Sequence, residues 1–359
     1  MNNFWQQLKR PFFALAPMAD VTDPAFRRLL AKYGKPDVTW TEFVSADGLC
    51  HPAGREKLML DLAYTDAERP IVAQLFSSNP ENMKVAARLC ADLGFDGIDI
   101  NMGCPDRTIE KQGCGSAMIK TPEKAVAVIR AAKEGIKESG KVIPLSVKTR
   151  VGYYRETINE WIPVLLKEEI QALTIHARTR KDLSKVPANW EYVRRVVALR
   201  DQLAPDTIII GNGDVMDMAD GLEKARVSGC DGVMIGRACF GNPWIFNKSV
   251  KVVRRGSWKQ NIFLRMLPSS WAKKIMGDSR YTVSSIPLEQ KLGVLVEHSK
   301  LFCELLPHKN FAVMKKHYKA YCTGFPGAKD LRVSLMLAKD VGEVERIIQE
   351  FLKGSAAVI

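Results

Sequence analysis

Eight short apolar, β-rich runs recur between Phe12 and Gly236, and this recurrence limits the chain more than any other feature. They lie at Phe12–Ala16, Val38–Phe43, Ile71–Phe76, Gly97–Asn101, Val142–Lys148, Ala172–His176, Thr207–Gly211 and Gly232–Gly236. Helical patterns separate them, at Pro24–Tyr33, Pro80–Leu93, Pro122–Ser139, Glu156–Glu169, Asn189–Leu203 and Asp217–Ser228. Asn79-Pro80 and Thr121-Pro122 each place a capping side chain before a proline at the first helical position. Strands that alternate with helices in this number predict an α/β protein with a (β/α)8 TIM barrel. A doubly wound open sheet is the rival, and no G-x-G-x-x-G follows the first strand to support it.

The pattern changes near residue 250. An irregular, basic stretch at about 255–286 carries Pro268, Ser269 and Ser270, and from Pro287 the chain reads as helix with breaks at Pro307 and Thr323–Gly327. We expect a barrel over 1–250 and a smaller all-helical domain over 251–359. Charge divides the same way. Of the net +13, residues 1–250 hold +3 (34 Lys/Arg against 31 Asp/Glu) and the remainder +10 (19 against 9). A basic unit beside a near-neutral one points to a polyanionic partner, nucleic acid before an anionic membrane surface. The eight cysteines form no C-x-x-C pair or zinc-ligand cluster. Met1–Arg10 has no signal-peptide core, and no apolar run approaches a membrane span, so a cytoplasmic monomer with reduced thiols and no bound metal is expected.

Barrel enzymes work at the carboxyl ends of their strands. There the sequence offers Pro17, Met18 and Ala19, then Gln74, Asn101 leading to Cys104, Lys148, His176, Asn212-Gly213-Asp214, and Gly236-Arg237. Loops after the last two strands often hold a phosphate, and Gly213, Gly236 and Arg237 suit one. Lys148 ends an apolar strand and needs an anion, either a cofactor's or a carboxylate such as Asp99. Cys104 suits a general acid, since a thiol with its reference pKa of ~8.5 stays mostly protonated at neutral pH. Cys114, between Gly113 and Gly115, reads as a second exposed thiol on a mobile loop over the site.

Four motifs then resemble the tRNA-dihydrouridine synthases. They are APMADVTDPAFR (Ala16–Arg27), DINMGCP (Asp99–Pro105) with GCGSAM (Gly113–Met118), LTIHARTR (Leu173–Arg180), and GNGDV with MIGRACFGNPWIF (Gly211–Val215, Met234–Phe246). The tail segment His317–Arg332 is similar to that family's helical domain. The resemblance implies reduction of uridine in tRNA to 5,6-dihydrouridine, with FMN as cofactor and NADPH or NADH as reductant. It implies that Cys104 is the catalytic acid. FMN would be held by Pro17, Met18, Ala19, Gln74, Lys148, His176, Asn212, Gly213, Asp214, Gly236 and Arg237. Asn101 and Arg178 would handle the target uridine, and Lys309, Lys315, Lys316, Lys319, Lys329 and Arg332 would face the RNA. Asp20 stands where many members have glycine, Cys114 where small residues are common, and Ser257–Ser285 is longer than expected. Two rivals are an FMN barrel reductase acting on a free pyrimidine or enone, and a tRNA-binding protein without catalysis. The basic tail opposes the first, and intact Cys104, Lys148 and His176 oppose the second.

Overall fold

The computed structural model describes residues 3–249 and 286–356. Eight parallel strands form one sheet: β1 (Phe12–Leu15), β2 (Thr39–Ser45), β3 (Ile71–Phe76), β4 (Gly97–Met102), β5 (Leu145–Arg150), β6 (Ala172–His176), β7 (Ile208–Asn212) and β8 (Gly232–Ile235). From β2 to β8 each strand pairs with its neighbours in sequence, and β1 pairs with β8. A parallel bridge from Ala14 to Val38, with Leu15 N donating to Val38 O at 3.0 Å, closes the sheet into the (β/α)8 barrel.

Parallel neighbours need long crossovers, and helices supply them. These are α1 (Pro24–Tyr33), α2 (Ala46–Cys50), α3 (Pro52–Asp61), α4 (Pro80–Asp92), α5 (Arg107–Lys111), α6 (Pro122–Glu138), α7 (Ile158–Leu166), α8 (Trp190–Leu203) and α9 (Met218–Ser228). Asn79 caps α4 as expected, accepting from Glu81 N at 3.0 Å, whereas the Thr121 side chain makes no capping bond to α6. The fifth strand starts at Leu145, later than the sequence suggested, because Val142 is 65% exposed and Pro144 has no N–H to donate to a ladder.

The barrel interior is filled by side chains from alternate strand positions, among them Ala14, Trp40, Val72, Ala172, Ile210 and Met234. Trp5 joins this cluster from a short 3-10 turn, with its ring 5.8 Å from Phe12 and 5.6 Å from Trp40. Those partners open β1 and lie early in β2, so Trp5 plugs the amino-terminal end and leaves the carboxyl rim for chemistry. Much of the Ala16–Arg27 motif is also structural. Asp23 caps α1, and buried Arg27 bonds Glu68 at 2.8 Å and the carbonyls of Thr22 and Ala63.

The chain divides into two compact units, Met1–Cys239 and Phe240–Ile359. The second contains α10 (Leu288–Leu305), α11 (Lys315–Tyr321), α12 (Ala328–Leu337) and α13 (Val341–Ala356), around buried Leu292, Leu295, Phe302, Tyr318, Tyr321 and Leu335. Gly241 lies in this unit, where a Cβ would fall 2.6 Å from Tyr321 N. The irregular stretch expected at 255–286 falls, all but Ile286, outside the described residues. No helix among the described residues is long and apolar enough to cross a membrane.

Candidate active site

Strand register gathers the rim residues. Asn101 pairs with Lys148, Arg150 with His176, and His176 with Asn212, so their side chains share one face. A buried polar ladder runs beneath them. Gln74 Nε2 donates to Asp99 Oδ2 at 2.6 Å, Ser146 Oγ donates to Asp99 Oδ1, and Asn101 Nδ2 donates to Gln74 Oε1 at 3.1 Å. Burial pushes Asp99 up to about 6 against these donors. The ladder ends at the turn that bears the thiol, where Asn101 Oδ1 accepts from Gly103 N at 3.1 Å and Cys104 N at 2.9 Å.

Cys104 is half-buried, and desolvation raises its thiol pKa, while Arg150 and Lys148 favour the thiolate. The thiol therefore holds its proton at neutral pH, with cations close by once the proton leaves. Gly115, at φ +60, packs on this turn so closely that a Cβ there would fall 2.7 Å from Cys104 O. The expectation of an exposed Cys114 on a mobile loop is overturned. Cys114 is 0% exposed, and Gly115–Lys120 forms a 3-10 turn buried from Gly115 to Ile119, with Ser116 N bonded to Cys104 O at 2.9 Å. Gly115 there serves close packing, and Gly113 a backbone conformation at φ +76.

Lys148 Nζ lies 3.3 Å from Asn212 Oδ1, and Asn212 Nδ2 donates to Met234 O at 2.9 Å. Desolvation first, and then the Arg150 charge, lower Lys148 to about 8. His176 is depressed well below its ordinary value by burial and by the Arg150 and Lys148 charges, so it is neutral at pH 7. Arg178 Nη1 stands 3.4 Å from His176 Nε2, and a guanidinium can only donate, so the ring proton belongs on Nδ1. The rest of the buried Arg178 guanidinium bonds Val186 O and Asp214, which fixes it as a brace between the loops after β6 and β7.

The loops after β7 and β8 meet around Asp214. Its carboxylate accepts from Arg178, from Arg237 Nη2 at 2.6 Å and from Ala188 N at 3.0 Å, which holds it below the ordinary carboxylate range despite burial. Gly213 adopts φ +130, where a Cβ would lie 2.7 Å from Ala188 Cβ. At Gly236 a Cβ would meet Ala16 Cβ and the Met18 sulfur at 3.4 Å, which brings the first and last loops together. The first loop is a turn in which Val21 N and Thr22 N bond Met18 O at 3.1 Å, and Pro17 and Ala19 flank that residue. Asp20 takes φ +50, a conformation glycine accepts most readily and aspartate tolerates.

One rim residue escaped the sequence reading. Arg150 Nε donates to Gly103 O at 2.8 Å, and its Nη1 donates to Thr179 O and Leu183 O, tying the thiol turn to the loop after β6. The available signal was spacing, since Arg150 lies two residues beyond Lys148 and so on the same face of β5. Among the described residues no group of three or more His, Cys, Asp or Glu could hold a metal ion.

A thiol, an amine of lowered pKa and a neutral imidazole above a packed barrel are the equipment of a (β/α)8-barrel enzyme. Comparison with known proteins makes this particular. The family model for dihydrouridine synthase (Dus) matches residues 14–356. "Probable tRNA-dihydrouridine synthase 2" of Bacillus subtilis (strain 168) is 39% identical over 350 residues, covering 97% of this chain and 96% of the relative. "Probable tRNA-dihydrouridine synthase" of Staphylococcus epidermidis (strain RP62A) is 37% identical over 352 residues, covering 97% and 96%. Its namesake in Staphylococcus aureus (strain MRSA252) is 37% identical over 350 residues, covering 97% and 95%. The chain belongs to the dihydrouridine synthase family.

Proposed function

We propose that this enzyme reduces the C5–C6 double bond of uridines in tRNA, giving 5,6-dihydrouridine, with FMN as cofactor and NADPH or NADH as reductant. The observation that carries the reading is the Asn101-anchored turn, which sets a protonated thiol within electrostatic reach of Lys148 and Arg150.

The rim fits an FMN on three counts. Lys148 and Arg150 are lowered to about 8 and about 10, burial being the first cause in each, which an anion would relieve. Thr174 Oγ1 is buried without a hydrogen-bond partner in the described structure. Gly213 and Gly236 let the loops after β7 and β8 close against Ala188 and against Ala16 and Met18, which fixes backbone that would face a phosphate. Gln74, Lys148 and His176 would hold the isoalloxazine edge, and Pro17, Met18 and Ala19 would contribute backbone. Asn212, Gly213, Asp214, Gly236 and Arg237 would hold the ribityl phosphate, with Asp214 offering backbone because its carboxylate is engaged. Bound there, FMN would supply the hydride for carbon 6 of the uracil.

Cys104 Sγ gives its proton to carbon 5. Arg150 and Lys148 stabilise the thiolate that remains. Asn101 fixes the thiol's backbone, Arg178 fixes the His176 tautomer, and His176 acts as a neutral hydrogen-bonding group. A uracil within folded RNA has to leave its stack to reach such a site. Lys309, Lys315, Lys316, Lys319, Lys329 and Arg332 of the helical unit supply phosphate contacts, with the steep salt dependence such contacts carry.

The test is dihydrouridine content, by mass spectrometry, of unmodified tRNA incubated with the protein, FMN and NADPH, beside Cys104→Ala. A two-dalton gain at a defined uridine, lost in the variant while NADPH still reduces the flavin, is the expected result. NADPH consumption with no change in the RNA, together with turnover of a free pyrimidine, would transfer the assignment to a small-molecule reductase.

A further inference from the structure

Immediately after β5, the strand that supplies Lys148 and Arg150, the chain makes a tight turn that carries two adjacent tyrosines to the same rim. Only glycine allows the turn, because a Cβ on Gly152 would lie 1.9 Å from Arg155 O. Backbone bonds hold it rigid: Arg180 N to Gly152 O, Lys181 N to Tyr153 O and Thr157 N to Val151 O, each 2.9 Å. Tyr154 is left 70% exposed, and its ring is propped edge-on against Tyr153 at 4.6 Å and 76°. Lys120 Nζ stands 4.3 Å from the Tyr153 ring centre, and Arg180 approaches the same ring at 5.4 Å. Tyr153, Tyr154, Lys120 and Arg155 line a cavity of about 300 Å³, at the small end of ligand pockets.

We propose that this turn is a second RNA-contact surface, on the barrel itself, where Tyr154 stacks a substrate base other than the target uridine and Lys120 and Arg155 meet its phosphates. The proposal rests on the tRNA reading above. An exposed Tyr154 ring propped on Tyr153, with Lys120 over the Tyr153 ring and Arg155 next in the chain, provides both parts of single-stranded nucleic-acid recognition, a π-face and a positive border. Acidic groups do not cancel the border. Glu110 is committed to Arg180, and the pair of exposed Arg155 and Glu160 at 3.3 Å is weak enough to exchange for a phosphate. Fixing the ring before binding removes most of the ordering cost of a flexible loop.

The experiment measures the affinity of the flavin-loaded full chain for unmodified tRNA across a salt series, alongside KM for NADPH. Tyr154→Ala is expected to weaken RNA binding about 5- to 150-fold, the range a lost base–aromatic stack gives, without altering the salt slope. Tyr154→Trp is expected to restore affinity, and Lys120→Ala to reduce the salt slope by about one. KM for NADPH stays at the wild-type value in all three. Unchanged RNA affinity in Tyr154→Ala overturns the proposal. So does a rise in the NADPH KM alone, which would give the cavity to the reductant's own nucleotide. A wild-type protein that binds no tRNA would instead refute the underlying reading of the substrate, and this surface with it.

Discussion

Lys148 is kept at a cost to folding, and Lys148→Met should expose that cost in the protein stripped of flavin. Its pKa falls from 10.5 to about 8, chiefly by desolvation, a displacement worth about 3 kcal/mol at 1.36 kcal/mol per pKa unit. The side chain keeps some contact with solvent, which roughly halves that figure. Methionine matches the stem and avoids the desolvation, but it gives up the bond to Asn212 Oδ1, worth about 1 kcal/mol. At pH 7 the variant should therefore be the more stable protein by about 0.5–1 kcal/mol. Between pH 8 and the lysine value near 10.5, the unfolded chain holds a proton that the folded chain has released, so wild-type stability gains on the variant as pH rises. Above that window only the lost hydrogen bond remains, and the order reverses. Urea unfolding of both proteins from pH 7 to pH 10.5, read as the difference in midpoint, checks this. A difference that stays constant across that range, or a variant less stable at pH 7, would refute the claim that Lys148 is held charged against desolvation.

Two further outcomes follow from contacts already described. Gly213→Ala forces a methyl group to 2.7 Å from Ala188 in a left-handed conformation, so flavin content on purification should fall at least tenfold, with a stability loss of about 1–3 kcal/mol by urea unfolding. Trp5→Ala empties the amino-terminal plug and should destabilise the barrel unit by about 3–5 kcal/mol, while the rim chemistry of the protein that remains folded is unaltered.

The barrel was legible because strand and helix periods differ and both are written in apolar spacing, which burial imposes wherever a strand faces the interior. Trp5 was not legible, since it lies in a polar segment and is ordered by a local Asn3 cap, by Phe12 and by Trp40, which is distant in sequence. The rim residues were visible as polar groups at strand ends, yet their partners were not. Nothing in one dimension says that Asn101 binds the amides of Gly103 and Cys104, or that Arg178 turns inward to Asp214. Cys114 shows the opposite error. Flanking glycines read as flexibility, whereas Gly115 is small so that its turn can lie against Cys104. Glycine marks a conformation or a close approach, and sequence alone does not distinguish either from mobility.

The arrangement of charge separates what the barrel needs to fold from what it needs to bind. Buried Arg27 is satisfied, with Glu68 and two carbonyls taking up its donors, and that closed set belongs to the architecture. The rim is left unbalanced. Arg178 and Arg237 share the carboxylate of Asp214, the carboxylate acting on Lys148 is Asp99, itself pushed up to about 6, and Arg150 has Asp182 nearby but donates its hydrogen bonds to carbonyls. His176 stays neutral because burial first, and then these cations, disfavour another positive charge. A protein selected only for stability would have matched these cations one for one with carboxylates or replaced them with apolar groups, since under-compensated buried charge is among the most destabilising features a core can carry. Under the function proposed above, their retention beneath glycine-cut loops has a reason: an anionic cofactor would supply the charge these cations lack, and folding energy is spent on keeping its place open.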